Sequence, residues 1–127
     1  MKLLLDTHIL LWAAAGDLPP AARRYIDDMS NTLLFSPASL WEVVIKNGLS
    51  RGDFNVDPVL LHDGLVSSGY EELPISARHT LFVASLPPLH KDPFDRILLS
   101  QAVSEGVPLL TADAALPRYH DSVIFAG

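Results

Sequence analysis

Residues 2–8 read Lys-Leu-Leu-Leu-Asp-Thr-His. Three successive leucines bounded by a polar turn form too short a run for a helix. An apolar run without alternation is a strand buried on both faces, as the strands of a parallel sheet are. Asp6 therefore stands at the carboxyl end of a first strand, Lys2–Leu5, where open parallel sheets hold their ligands. Ile9–Ala15 then has helical composition, and Gly16 stops it. A strand ending in an acid and followed at once by a helix is the opening of an α/β fold.

The rest of the chain repeats that alternation. Pro19 and Pro20 open a helix through Ala21–Met29 with Arg23 and Arg24 on its outer side. Thr32–Phe35 is again strand-like. Ser36-Pro37 starts a helix expected to reach about Asn47 and to close at Gly48. Asp57-Pro58 starts another, to about Ser68 with Gly69 after it. Tyr70–Leu73 is a candidate strand, and Ser76 caps a helix through about Ser85. Pro87-Pro88 breaks the chain before His90. Asp92-Pro93 opens a helix over Phe94–Glu105 with Gly106 as its stop, Val107–Leu110 is a strand running into Thr111-Ala112-Asp113, and Ser122–Phe125 is the last. The expected architecture is a central, mostly parallel sheet with helices on both faces. The segment Gly48–Asn55, with Arg51, Gly52 and Asp53, is the expected mobile loop.

The chain has 127 residues, 49% of them hydrophobic and 19% charged, with no cysteine. One domain over residues 1–127 is expected. Disorder and a disulfide scaffold are excluded. The longest apolar runs, such as Ile9–Ala15, are too short to span a bilayer and no signal-peptide pattern opens the chain, so a soluble cytoplasmic protein is expected. Nine basic residues against fifteen acidic ones give a formal charge of −6. That balance argues against a phosphate-binding partner unless some carboxylates hold a divalent metal, which reverses the local field.

Four acids fall where a metal site would be built. Asp6 and Asp113 follow strands. Asp95 lies in the first turn of the helix leading into the last-but-one strand, and Glu42 lies in the helix after the second, inside Leu-Trp-Glu-Val-Val-Ile (residues 40–45). Each also has a plainer reading. Asp6 can be a turn or cap residue for the helix after it, Asp95 sits three residues after the cap Asp92 as a capping-box acid does, and Asp113 can form a turn or cap before Ala114–Leu116. Glu42 can pair with Lys46 at i,i+4, worth about 0.2–0.5 kcal/mol. Yet Glu42 is flanked by apolar residues, and a buried unpaired charge is costly. Oxygen donors without cysteine or paired histidines suit Mg²⁺ or Mn²⁺ rather than zinc.

Four segments in order carry a resemblance: Leu3-Leu4-Leu5-Asp6-Thr7-His8, Ser36-Pro37-Ala38-Ser39-Leu40-Trp41-Glu42, His90-Lys91-Asp92-Pro93-Phe94-Asp95-Arg96 and Leu110-Thr111-Ala112-Asp113. The chain resembles the PIN-domain ribonucleases almost from end to end, specifically VapC-type toxins of bacterial type II toxin–antitoxin systems. The resemblance implies that Asp6, Glu42, Asp95 and Asp113 are catalytic and surround one or two Mg²⁺ or Mn²⁺ ions. Asp6 and Asp95 are the firmest ligands, and Glu42 and Asp113 hold the ion directly or through its waters. Thr7 and Thr111 support the ligands, with Asp92 nearby in a capping role. The implied reaction is endonucleolytic hydrolysis of RNA by a metal-activated water, leaving a 5′-phosphate and a 3′-hydroxyl.

Lys46, Arg51, Lys91, Arg96 and Arg118 are the candidate RNA contacts. Solvated surface is the equal alternative for each, and Arg96 has a further one as a brace for a neighbouring aspartate. His8 and His90 border the pocket without an assigned role. With the four ligand acids set aside, eleven acids remain against nine bases, and one divalent ion brings the balance to zero. The implied partners are RNA, a small VapB-like antitoxin whose basic side chain enters the acidic pocket, and a second copy of the chain in a homodimer that assembles into toxin–antitoxin hetero-oligomers. Trp12, Leu49 and Phe54 are candidates to line the antitoxin groove, each equally readable as core or dimer surface.

Two other readings remain open. One is a non-catalytic PIN-like binding module. The other is a receiver-type phosphoacceptor, which calls for paired acids after the first strand and a lysine after a late one. Here Asp6 is followed by Thr7-His8, and no lysine follows Leu110.

Overall fold

Leu3, Leu4 and Leu5 are all fully buried, and they point alternately into two different cores. In a computed structural model of the chain, which describes residues 1–49, 55–87 and 92–127, they lie on β1 (Lys2–Leu5), the middle of a five-stranded sheet. Beside it run β2 (Thr32–Phe35) and β4 (Leu109–Thr111), with β3 (Glu71–Glu72) and β5 (Val123–Phe125) at the edges, in the order β3-β2-β1-β4-β5. Every pairing is parallel. The expected sheet was mostly parallel; among the described residues it is wholly so.

The period of two along each strand divides the molecule. Leu3, Leu5, Phe35 and Leu110 face one layer, built from α1 (Thr7–Ala15), α2 (Pro20–Ile26) and α4 (Pro58–Ser67) through Ile9, Leu10, Ala22, Leu61 and Leu65. Leu4, Leu34, Leu109 and Val123 face the other, where α6 (Pro93–Glu105) supplies Leu98, Leu99 and Ala102. The helix α3 (Pro37–Leu49) serves both layers, Ala38 packing in one and Val43 in the other. α5 (Ala77–Phe82) continues as a 3₁₀ turn to Ser85 and packs on α6. No helix among the described residues is long and apolar enough to cross a membrane.

Most expected starts and stops hold because they are local. Asp57 and Asp92 each cap a helix opened by proline, and Gly16, Gly69 and Gly106 take positive φ after helices. The expected start at Ile9 moves back to Thr7, because Asp6 is itself the cap. Helix α2 stops at Ile26 rather than Met29. Asp28 Oδ1 accepts from Ser30 N at 3.0 Å and Ser30 Oγ at 2.7 Å, an Asx turn that competes with helix. Gly48 does not end α3: it keeps a negative φ, so the helix runs on to Leu49. The strand expected at Val107 begins at Leu109, because Val107 N closes α6 on Ala102 O and Pro108 has no N–H to give. Tyr70–Leu73 contracts to two exposed glutamates, a charged edge that resists pairing with another sheet.

Asn47 fastens the end of α3 to the far side of residues 50–54: its Nδ2 donates to Val56 O and its Oδ1 accepts from Val56 N. Gly48 and Asn55 are the described ends of the expected mobile loop; Arg51, Gly52, Asp53 and Phe54 within it, and His90 and Lys91 further on, lie outside the described residues.

A polar tie joins α5 to α6. His79 is buried, and its Nδ1 accepts from Ser76 N at 3.0 Å. The proton therefore sits on Nε2, which donates to Glu105 Oε2 at 2.7 Å. Arg78 reaches the same oxygen at 2.6 Å. These bonds, the His79 contact foremost, hold the Glu105 carboxyl below its ordinary pKa. A depressed carboxyl contributes stability above its unfolded pKa and loses it as pH falls through the folded one. Glu105→Gln is therefore expected to be less stable than wild type at pH 6. In urea denaturation at successive pH values, that gap should close below about pH 4.

Candidate metal-dependent active site

All five parallel strands end at the same edge of the sheet, so whatever follows them is gathered there. The register pairs Leu5 with Leu110, which sets Asp6 beside Thr111. Asp6 is almost fully buried and uses both oxygens. Its Oδ1 accepts from Ile9 N at 3.0 Å, capping α1. Its Oδ2 accepts from Thr111 Oγ1 at 2.5 Å and from Ala112 N at 3.0 Å. Thr111 Oγ1 in turn accepts from Asp113 N at 3.0 Å, so a chain of bonds runs from the end of β4 to the end of β1. Burial drives the Asp6 pKa above its ordinary value, and the bonds from Thr111, Ile9 and Ala112 oppose that shift.

Glu42 enters from α3 and is also buried. Thr7 Oγ1 lies 2.7 Å from its Oε1 and 2.9 Å from Ser39 Oγ. A hydroxyl has one proton and an ionised carboxylate only accepts, so Thr7 donates to Glu42 and takes its second bond from Ser39. Lys46 Nζ lies 2.8 Å from Glu42 Oε2. Asp92 caps α6 by accepting from Phe94 N at 2.8 Å and Asp95 N at 3.3 Å. This puts Asp95 in the first turn of a helix whose start faces the same edge. Asp113 Oδ1 accepts from Ala115 N at 2.8 Å.

Asp6, Glu42, Asp92, Asp95 and Asp113 thus line one open cavity of about 490 Å³, together with Thr7, His8, Trp12 and Lys46. Asp6 both caps a helix and lines the cavity, and Glu42 both pairs with Lys46 and is buried. Thr111 lies beneath the cavity and acts on it through Asp6. Of the candidate RNA contacts, Lys46 lines the cavity. Arg96 and Arg118 do not. Arg96 donates instead to Val83 O and Pro87 O, each at 3.1 Å, and braces the chain ahead of α6. Arg51 and Lys91 lie outside the described residues. Ser39 was not singled out from the sequence, although its place three residues before Glu42 on a helix puts both on one face.

Five carboxylates and one lysine line this cavity, and carboxylate oxygens are the donors a hard divalent cation takes. Among the described residues, no three acid or histidine side chains converge into a cage for an ion.

The PIN domain family model matches residues 3–121. No curated protein matches the chain in sequence. Three similar solved structures are VapBC2 from Rickettsia felis bound to a DNA fragment from their promoter, DNA-bound VapBC from Salmonella typhimurium and FitAcB from Neisseria gonorrhoeae. The first has 21% identity and a TM-score of 0.73, covering 98% of this chain and 97% of the other. The second has 17% identity and a TM-score of 0.70 over 98% and 96%. The third has 16% identity and a TM-score of 0.65 over 97% and 96%. At these identities the likeness is one of fold.

The geometry makes Thr111 a support for both Asp6 and Asp113. Thr111→Val keeps the shape of the side chain and leaves the Asp6 carboxylate short of a donor. Chemical denaturation is expected to show a loss of about 1–3 kcal/mol. A smaller loss would mean that water replaces the hydroxyl.

Proposed function

Because the chain belongs to the PIN-domain family, we propose that it is the toxin of a toxin–antitoxin pair, a VapC-type endoribonuclease using Mg²⁺ or Mn²⁺ to hydrolyse RNA phosphodiester bonds. It would act in the cytoplasm as one domain of residues 1–127. The observation that carries this reading is the meeting of Asp6, Glu42, Asp95 and Asp113 in one cavity at the carboxyl edge. They come from four separate parts of the chain, and packing alone gives no reason to gather like charges.

In this reading Asp6 and Asp95 hold the metal, and Glu42 and Asp113 hold it directly or through its waters. The ion would lower the pKa of the attacking water and offset the charge that builds on the phosphate oxygens. The chain's own groups supply the aim. The α1 cap and Thr111 fix the plane of the Asp6 carboxylate, and Thr7 fixes that of Glu42. Such donors leave little to reorganise during reaction. Lys46 stands at the cavity as the contact for a substrate phosphate, with Arg51 and Lys91 as further candidates.

The cavity is open and acidic, so a small VapB-like antitoxin can close it by inserting a basic side chain among the carboxylates. Trp12 lines the cavity, and the exposed Leu49 lies at the end of α3, where each can meet such a partner. Trp41 and Val44, also exposed on α3, offer apolar surface for a homodimer and the larger assemblies it forms with antitoxin.

Purified chain incubated with total cellular RNA and Mg²⁺ or Mn²⁺ is expected to make discrete cuts with 5′-phosphate and 3′-hydroxyl ends. EDTA should abolish them, and Asp95→Asn should lower the rate at least about 100-fold. Cutting that survives both changes would remove the catalytic assignment.

A further inference from the structure

An i,i+4 Glu–Lys pair on a helix surface is ordinarily a minor interaction. The Glu42–Lys46 pair is differently placed. The Glu42 side chain is 7% exposed and Lys46 is 44% exposed, so the carboxylate sits inside the cavity and the ammonium at its mouth. Side chains hold both Glu42 oxygens, Thr7 on Oε1 and Lys46 on Oε2. Thr7 is neutral, so the charge on Glu42 is met by Lys46. Among the described residues lining the cavity, Lys46 is the one lysine or arginine, against five carboxylates.

We infer that Lys46 is a tethered counter-ion that takes the place of the divalent metal at Glu42 and sets how tightly the site binds that metal. The inference rests on the metal-dependent reading above and goes beyond it. Glu42 is a buried carboxylate whose Oε2 already has a charged partner, Lys46 Nζ at 2.8 Å. A divalent ion drawing on Glu42 would meet an ammonium already 2.8 Å from its Oε2. The two cations would repel, so direct ligation by Glu42 would require Lys46 to swing away. Its flexible four-carbon stem permits the swing without moving α3. Lys46 is thus a positioning residue with an autoinhibitory contact, holding the carboxylate in place and keeping the site from saturating at low metal.

The test is Mn²⁺ binding by titration calorimetry on the metal-free full chain, with no RNA present. Lys46→Gln is expected to bind Mn²⁺ about three- to tenfold tighter than wild type, and Lys46→Arg within about twofold of it. Thermal unfolding checks that each variant is folded, which the exposure of Lys46 favours. In a Glu42→Gln background, Lys46→Gln should change the affinity by less than about twofold, because the contact it relieves is gone. If wild type binds Mn²⁺ and Lys46→Gln binds it no tighter, the inference falls while the metal-dependent reading stands. An undiminished effect in the Glu42→Gln background would make Lys46 a general surface charge and overturn the assignment to Glu42. If neither wild type nor any variant binds Mn²⁺, both readings fall together.

Discussion

The Asp6 carboxylate joins three elements that the rest of the molecule is arranged around. One oxygen closes the start of α1, and the other takes two donors from the end of β4, while the backbone N–H of Asp6 continues the ladder onto Leu110 O at 2.9 Å. The central strand, the helix that follows it and the neighbouring strand are thus tied at one residue. Burial makes a charge there costly, and the donors offset only part of that cost. A carboxylate in this position is a stability liability that a purely structural role would not require, since a neutral residue can also cap a helix.

The same tension extends around the cavity. Glu42 relieves it with Lys46, while Asp92 and Asp113 relieve it with backbone N–H groups. Each acid is locally accommodated, yet all face the same space. On the proposed reading, such a site would be oriented for a cation before one arrives, and that cation would let an acidic protein act on an acidic polymer. The overall charge of −6 describes the ledger of the whole chain and not the field at the edge where substrate would bind.

Much of the fold was legible because its signals are local. Leu3–Leu5 announces a strand buried on both sides, and Asp57-Pro58, Asp92-Pro93 and the glycines at 16, 69 and 106 punctuate helices through their own backbone preferences. What was misread depends on contacts or competing side chains. The Asx turn at Asp28 shortens α2, and Gly48 passes as an ordinary helical residue because it does not take the left-handed conformation. The sequence puts four acids at strand ends or on helices that start from, or point toward, the carboxyl edge, and all four line the cavity. The bonding of the site was less legible: the sequence offers Glu42 either burial or a partner, and only the rotation of α3 against α1 shows that it has both. Ser39 escaped notice for the same reason, since its role depends on the hydroxyl of Thr7 from another element.

The account stands on a divalent ion binding at the carboxyl edge, and paramagnetic Mn²⁺ reports its place directly. In amide NMR spectra of the metal-free protein, substoichiometric Mn²⁺ is predicted to broaden Thr7, Asp95, Ala112 and Asp113 first. Signals from the opposite edge of the sheet, such as Lys2 and Thr32, should stay sharp. Broadening centred instead on the exposed acids Asp27 and Asp28, or spread evenly over the acidic surface, would contradict it.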